Sequence, residues 1–183
     1  MMILVTGGSG SGKSSFAEDC VLACGEGKRI YIATMYPFDE ESKKRVQRHR
    51  KMRAGKGFET VECYVGLKNV QVSSESTVLL ECMSNLAANE IFREDGAGEN
   101  AEQEILSGVE SLKHQAENLV VVTNEIFSEA ASYEEETENY QRVLGTINQR
   151  LAQMADSVVE VVYGIPVYYK KGEDPGEKSL EQL

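Results

Sequence analysis

The chain has no apolar run approaching the roughly eighteen residues that a bilayer-spanning helix needs, and it opens without the charged, apolar and cleavage regions of a signal peptide. A membrane span is not expected, and a cytoplasmic protein is. Cysteine is scarce: Cys20, Cys24, Cys63 and Cys82 are the only four, and no two are spaced C-x-x-C. All four lie in or beside apolar segments, so small buried hydrophobes are expected rather than zinc ligands or disulfide partners. Positive charge is short as well, with 19 Lys and Arg against 30 Asp and Glu and a net charge of −11. That balance argues against general binding to nucleic acid or membrane surfaces, which needs a broad basic face. No internal repeat is visible, and there are only two histidines.

What basic charge there is, the chain concentrates. Lys43 to Lys56, KKRVQRHRKMRAGK, holds eight of the 19 Lys and Arg. An acidic protein with such a segment is equipped to hold a small polyanion, although a solvated helix face has the same composition.

The length of 183 residues suits one α/β domain with a full core. The pattern predicts that domain over 1–170, with a mobile charged tail over 171–183. Strands are expected at 2–6 and 29–34, and more clearly at 77–82, 118–123 and 157–163, whose apolar runs are continuous rather than alternating, as in strands buried on both faces of a mainly parallel sheet. Residues 59–63 are a weaker strand or an extended loop. Helical spacing follows residue 13 and recurs at about 84–93, 101–116 and 138–155. Strands alternating with helices predict a three-layer α/β domain with helices on both faces of the sheet. After Pro166, residues 167–170 are expected to return as an antiparallel edge at the C-terminal end, where proline is tolerated. Surface loops are expected over 94–100 and 125–138, the latter as a solvated loop or a lid.

Directly after the first strand stands GGSGSGKS: Gly7, Gly8, Ser9, Gly10, Ser11, Gly12, Lys13 and Ser14. Glycines in a strand-to-helix turn let consecutive backbone N–H groups converge on one anion. Lys13 adds an ammonium for the β- and γ-phosphates, Ser14 a hydroxyl for Mg²⁺, and the following helix a favourable dipole. This is the Walker A pattern in its strand–loop–helix context, so a P-loop NTPase fold is expected. A flexible glycine-serine linker would not sit between a strand and a helix.

A phosphate loop needs a metal, and Glu81 at the end of its strand supplies a carboxylate. Glu81 is therefore a candidate Mg²⁺ ligand, a candidate base for a substrate hydroxyl, or a cap for the next helix. Glu125 is a second strand-end acid with weaker claims. His114 belongs to the polar part of a helix and is expected to be solvated. His49 is flanked by Arg48 and Arg50, with Lys44, Arg45 and Lys51 to Arg53 about a turn away. Like-charge repulsion favours a neutral imidazole, which is a nucleophile, and the same arginines can bind the phosphates that it attacks.

These residues resemble the bifunctional adenosylcobinamide kinase and adenosylcobinamide-phosphate guanylyltransferase family. The resemblance runs almost end to end, through MMILVTGG with SGKS, Tyr31-Ile32-Ala33-Thr34, Val46-Gln47-Arg48-His49, Thr60-Val61-Glu62-Cys63, Leu79-Leu80-Glu81-Cys82, Val121 to Glu125, and Ile147 to Ala152. It implies a RecA-like P-loop sheet and a trimer with active sites near subunit boundaries. It further implies that His49 takes GMP from GTP and passes it to adenosylcobinamide phosphate, and that ATP or GTP phosphorylates the corrinoid adenosylcobinamide. Catalytic roles fall to His49, Lys13 and Glu81. Nucleotide contacts fall to residues 7–14 and to Ala33, Thr34, Arg50, Lys51, Arg53, Glu62 and Glu81, with Ser14 and Glu81 as metal ligands. Two departures stand out. Gly10 replaces an arginine usual in the family, and Arg50 to Gly55 replace a lysine and Gly-Arg-Pro turn, so the guanylyltransferase half rests most directly on His49. Two other readings stay open: a P-loop kinase for another small metabolite, and a nucleotide-gated binding switch.

Overall fold

The computed structural model describes residues 1–125 and 135–172. Its strands are β1 (Met2–Thr6), β2 (Lys28–Ala33), β3 (Phe58–Glu62), β4 (Ser76–Glu81), β5 (Asn118–Val122), β6 (Ser157–Val162) and β7 (Ile165–Lys170). They form one seven-stranded sheet in the order β3-β2-β4-β5-β1-β6-β7. All pairs are parallel except β6 with β7. Residues 58–62 are thus a true strand, at the edge of the sheet formed by the described residues and half-exposed because it pairs there with β2 alone. The antiparallel return begins at Ile165, two residues earlier than the apolar pattern indicates, and Pro166 occupies it.

The helices are α1 (Lys13–Ala23), α2 (Glu40–Arg53), α3 (Met83–Phe92), α4 (Ala101–Gln115) and α5 (Glu135–Met154). Alternate residues of the central strands bury into two separate cores. Leu4, Ile32, Leu80 and Val121 face a core with α3, α4 and α5, whereas Ile3, Val5, Tyr31, Leu79, Val120 and Val122 pack with Ala17, Cys20 and Val21 of α1. Burial on both faces is why the strand sequences show continuous apolar runs. Helix α4 comes so close to residues 67–68 that a Cβ on Gly108 would lie 2.7 Å from the Leu67 Cβ, so glycine is required there despite its poor helix propensity.

Helix α2 is built differently, giving only Ser42 and Arg53 to the interior. It forms because its ends are well made. Asp39 accepts from the Ser42 N–H, Ser42 bonds back to the Asp39 N–H, and Glu40 and Glu41 begin the helix while Arg50, Lys51 and Arg53 end it. Ion pairs Lys43–Glu40 and Arg45–Glu41, at 2.7 and 2.6 Å, follow helical spacing. The basic segment is therefore helical to Arg53, and Lys56 lies beyond it, paired at 2.5 Å with the fully buried Glu18 of α1. The 94–100 loop contains one 3-10 turn, Gly98–Asn100. Of the expected 125–138 loop, residues 135–138 belong to α5, and 126–134 lie outside the described residues, as does the expected tail from 173 onward.

Candidate functional site

In a parallel sheet the loops that leave the strand C-termini share one edge, and the register fixes which residues meet there. Ala33 stands level with Glu62 on one side and Glu81 on the other, and Glu81 is level with Val122, which is level with Val5. Residues 7–14 continue from β1 at this edge, the crevice where open α/β sheets bind ligands.

The phosphate loop is shaped by close approach. A Cβ on Gly7 would come within 2.6 Å of the Val161 carbonyl oxygen, and Gly12 has φ +94. Neither position admits a larger residue without moving the loop. Ser11 Oγ is buried without a hydrogen-bond partner, a donor left for a ligand oxygen. The Lys13 ammonium is buried and bonded to the Gly8 carbonyl at 2.9 Å. Burial holds its pKa below the ordinary lysine value, while the Cys82 thiol and the Glu81 carboxylate act in the opposite direction.

Glu81, 7% exposed, is the hub of the site. Its Oε1 accepts from the Ser14 hydroxyl, its Oε2 accepts from the Tyr31 phenol at 3.1 Å, and His49 Nδ1 lies 3.8 Å from Oε1. That nitrogen is buried with no hydrogen-bond partner, although the His49 side chain as a whole is 25% exposed. Burial first, and then the Glu81 charge, raise the Tyr31 pKa, so the phenol stays a donor. Thr34 braces the same corner, its hydroxyl donating to the Cys82 carbonyl at 2.8 Å and accepting from the Cys82 N–H at 2.7 Å.

The basic residues of α2 do not crowd the imidazole. Arg45 is drawn to Glu41, Arg50 pairs with Glu62 at 2.7 Å, and Lys51 lies with Lys44 and Arg48 along an outer hollow. Among the described residues the ion-pair contact of His49 is with a carboxylate, that of Glu81, because a helix shows only one side to the sheet and Arg45, Arg50 and Lys51 lie on others. Arg53 is the exception that turns inward. It is buried with its guanidinium carbon 3.3 Å from the centre of the Tyr31 ring, and its Nη1 is without a hydrogen-bond partner. A hollow of about 440 Å³ opens beside it, lined by Arg50, Gly55, Phe58 and Thr60 among others.

The structure thus brings Ser14, Lys13, Glu81, Thr34, His49 and Arg53 together. Glu62 with Arg50 stands further out, where Tyr64 donates to Glu62 at 2.9 Å, and Lys51 faces away. Glu125 gives the loop its backbone N–H, which donates to the Gly7 carbonyl. His114 is exposed, as expected. Cys20, Cys63 and Cys82 are buried, and burial pushes the Cys63 thiol up to about 11. Sequence reasoning missed Tyr31 as a site residue. The available signal was a phenol between two isoleucines of a buried strand, since a buried tyrosine hydroxyl requires a partner.

Among the described residues no three His, Cys, Asp or Glu converge as a metal cage. The bonded pair of Ser14 and Glu81 is a different kind of site. A hydroxyl and a carboxylate are hard oxygen donors of the type Mg²⁺ takes when water and substrate phosphate complete its shell, so these residues fit that ion.

Comparison with known proteins is consistent over most of the chain. The family profile described as cobinamide kinase / cobinamide phosphate guanyltransferase matches residues 3–169. The bifunctional adenosylcobalamin biosynthesis protein CobU of Salmonella typhimurium is 33% identical over 185 aligned residues, covering 93% of this chain and 100% of that protein. Its counterpart in Escherichia coli K12 is 32% identical over the same coverage. In fold, the chain is similar to an ATPase from the type III secretion system of pathogenic bacteria, with a TM-score of 0.52 at 9% identity. It spans 98% of this chain and 61% of that one.

Proposed function

Because the chain belongs to the cobinamide kinase / cobinamide phosphate guanyltransferase family, we propose that both reactions of that family use its one phosphate loop, with His49 as the nucleophile. The chain is a transferase of cobalamin biosynthesis with kinase and guanylyltransferase activities. The observation that carries the residue assignment is the convergence of Ser14, from the phosphate loop, and His49, from α2, on the single carboxylate of Glu81.

In guanylylation, His49 attacks the α-phosphorus of GTP. A P–N bond forms as the P–O bond to pyrophosphate breaks. Glu81 stands 3.8 Å from the buried Nδ1, which leaves Nε2 as the attacking nitrogen. A phosphate oxygen of adenosylcobinamide phosphate then displaces the histidine, giving adenosylcobinamide-GDP and restoring the free imidazole. Lys13 leaves the Gly8 carbonyl for the phosphates, and the unpartnered Ser11 hydroxyl and Arg53 Nη1 are donors ready for their oxygens. In the kinase reaction the same loop grips the triphosphate, and the γ-phosphoryl group moves to the aminopropanol hydroxyl. Ser14 and Glu81 would hold Mg²⁺, whose contribution is to neutralise phosphate charge.

Incubation with α-³²P-GTP tests this function. The protein is expected to acquire a label stable to base and labile to acid, the behaviour of a phosphoramidate on histidine, and adenosylcobinamide phosphate should discharge it. A plain metabolite kinase or a nucleotide-gated switch would take up no label.

Glu81→Gln separates the two roles open to that residue. As a metal ligand, its replacement should slow both reactions and raise the Mg²⁺ needed for half-maximal rate, because an amide is a poorer ligand for a hard cation. Its hydrogen bond to Ser14 favours that outcome. Loss of the kinase step alone, by about a hundredfold or more at unchanged Mg²⁺ demand, would identify Glu81 instead as the base for the corrinoid hydroxyl.

A further inference from the structure

The turn between β6 and β7 is made of Tyr163 and Gly164, with φ of +52 and +82, and Val162 pairs with Ile165 to close it. Two consecutive positive φ values are the signature of a two-residue type I′ hairpin, in which asparagine, aspartate or glycine is favoured at the first position. Tyrosine there is a genuine departure, because its Cβ crowds the backbone. Burial of the ring does not compensate, since Tyr163 is 94% exposed. A residue that carries backbone strain with no packing in return points to a use outside the folding of its own chain.

The position of the turn indicates that use. Strands β1 and β6 are neighbours, with Thr6 level with Glu160, so the turn and the phosphate loop leave the sheet side by side. They are joined: the Gly164 N–H donates to the Ser11 carbonyl at 2.8 Å, and a Cβ on Gly12 would lie 3.4 Å from the Gly164 Cα. An exposed aromatic ring is therefore mounted on a turn bonded to the loop that holds the phosphates. Ile165, 65% exposed, extends the apolar surface beside it.

We propose that Tyr163 is the stacking platform for the purine base of the nucleotide seated in the phosphate loop. Stacking suits this chain in particular, because every base has a π-face and an aromatic shelf accepts adenine and guanine alike. That matches two reactions that draw on ATP and GTP, and in this respect the inference rests on the proposed function. The hydrogen bond from Gly164 to Ser11 sets the distance between shelf and phosphates, so one rigid turn serves both nucleotides.

The test compares Tyr163→Asn and Tyr163→Trp with the unaltered chain, using calorimetric titration in Mg²⁺ buffer with GTP, ATP and inorganic tripolyphosphate. Tyr163→Asn should weaken GTP and ATP at least tenfold and leave tripolyphosphate, which has no base, unchanged. Its Tm should not fall, since Asn-Gly is the preferred pair for this turn. Tyr163→Trp should keep nucleotide affinity. The chain contains no tryptophan, so the new indole is the sole reporter, and GTP and ATP should quench its emission while tripolyphosphate does not. Unchanged GTP affinity in the Tyr163→Asn variant, an unquenched indole, or an equal loss for tripolyphosphate would each overturn the inference. So would a change of oligomeric state at unchanged affinity, which would make the ring a subunit contact. An unaltered chain that binds nucleotide but acquires no label from α-³²P-GTP would instead contradict the guanylyltransferase assignment and leave the stacking measurement valid.

Discussion

His49→Ala is expected to abolish covalent labelling by GTP completely while GTP still binds within a fewfold of its original affinity. The label needs a nitrogen nucleophile, and alanine supplies none. Binding survives because the contacts that shape the phosphate loop do not pass through the imidazole: Lys13 is bonded to Gly8, and Ser14 and Tyr31 hold Glu81. The kinase reaction, in which the substrate hydroxyl is the nucleophile, should continue. Labelling with α-³²P-GTP beside a calorimetric titration reads both quantities. An undiminished label would remove His49 as nucleophile and send the search to another side chain.

Lys13→Ala should slow both reactions, each by about a hundredfold or more, the usual consequence of deleting a preorganised cation that meets developing phosphate charge. Its ammonium is buried at the base of the loop, and among the described residues no other lysine bonds to the loop backbone. Arginine at this position is not expected to rescue, because the planar, longer guanidinium does not fit a site built around a compact ammonium. Rates of corrinoid phosphorylation and of protein guanylylation, measured on the same preparation, decide the matter. If only one of them fell, a second nucleotide site would be required.

Much of this was legible in the chain itself. Local signals carry the sheet and its alternation with helices, because a strand buried on both faces must be apolar throughout and Leu79, Val120 and Val121 comply. The phosphate loop is legible for a similar reason: its glycines and its Lys-Ser pair act through backbone and neighbours a few residues apart. The family follows from motifs distributed over nearly the whole length.

What the residues determine without their neighbours ends at the ion environment of His49. Charges adjacent in sequence suggest an imidazole crowded by arginines, but helix α2 turns most of them to solvent or to acids of α2 and β3, and a carboxylate 67 residues from Ser14 reaches the site instead. Tyr31 joins that carboxylate and Arg53 only because β2 and β4 pair in one register and the end of α2 lays Arg53 over the Tyr31 ring. The strain at Tyr163 is equally invisible in one dimension, since Tyr-Gly becomes costly only when hairpin closure imposes positive φ on both residues. Sequence determined which groups the chain owns, through rules of short range. Which of them meet, and which ring stands beside the phosphate loop, was decided by strand order and register, because those bring together residues that no local rule connects.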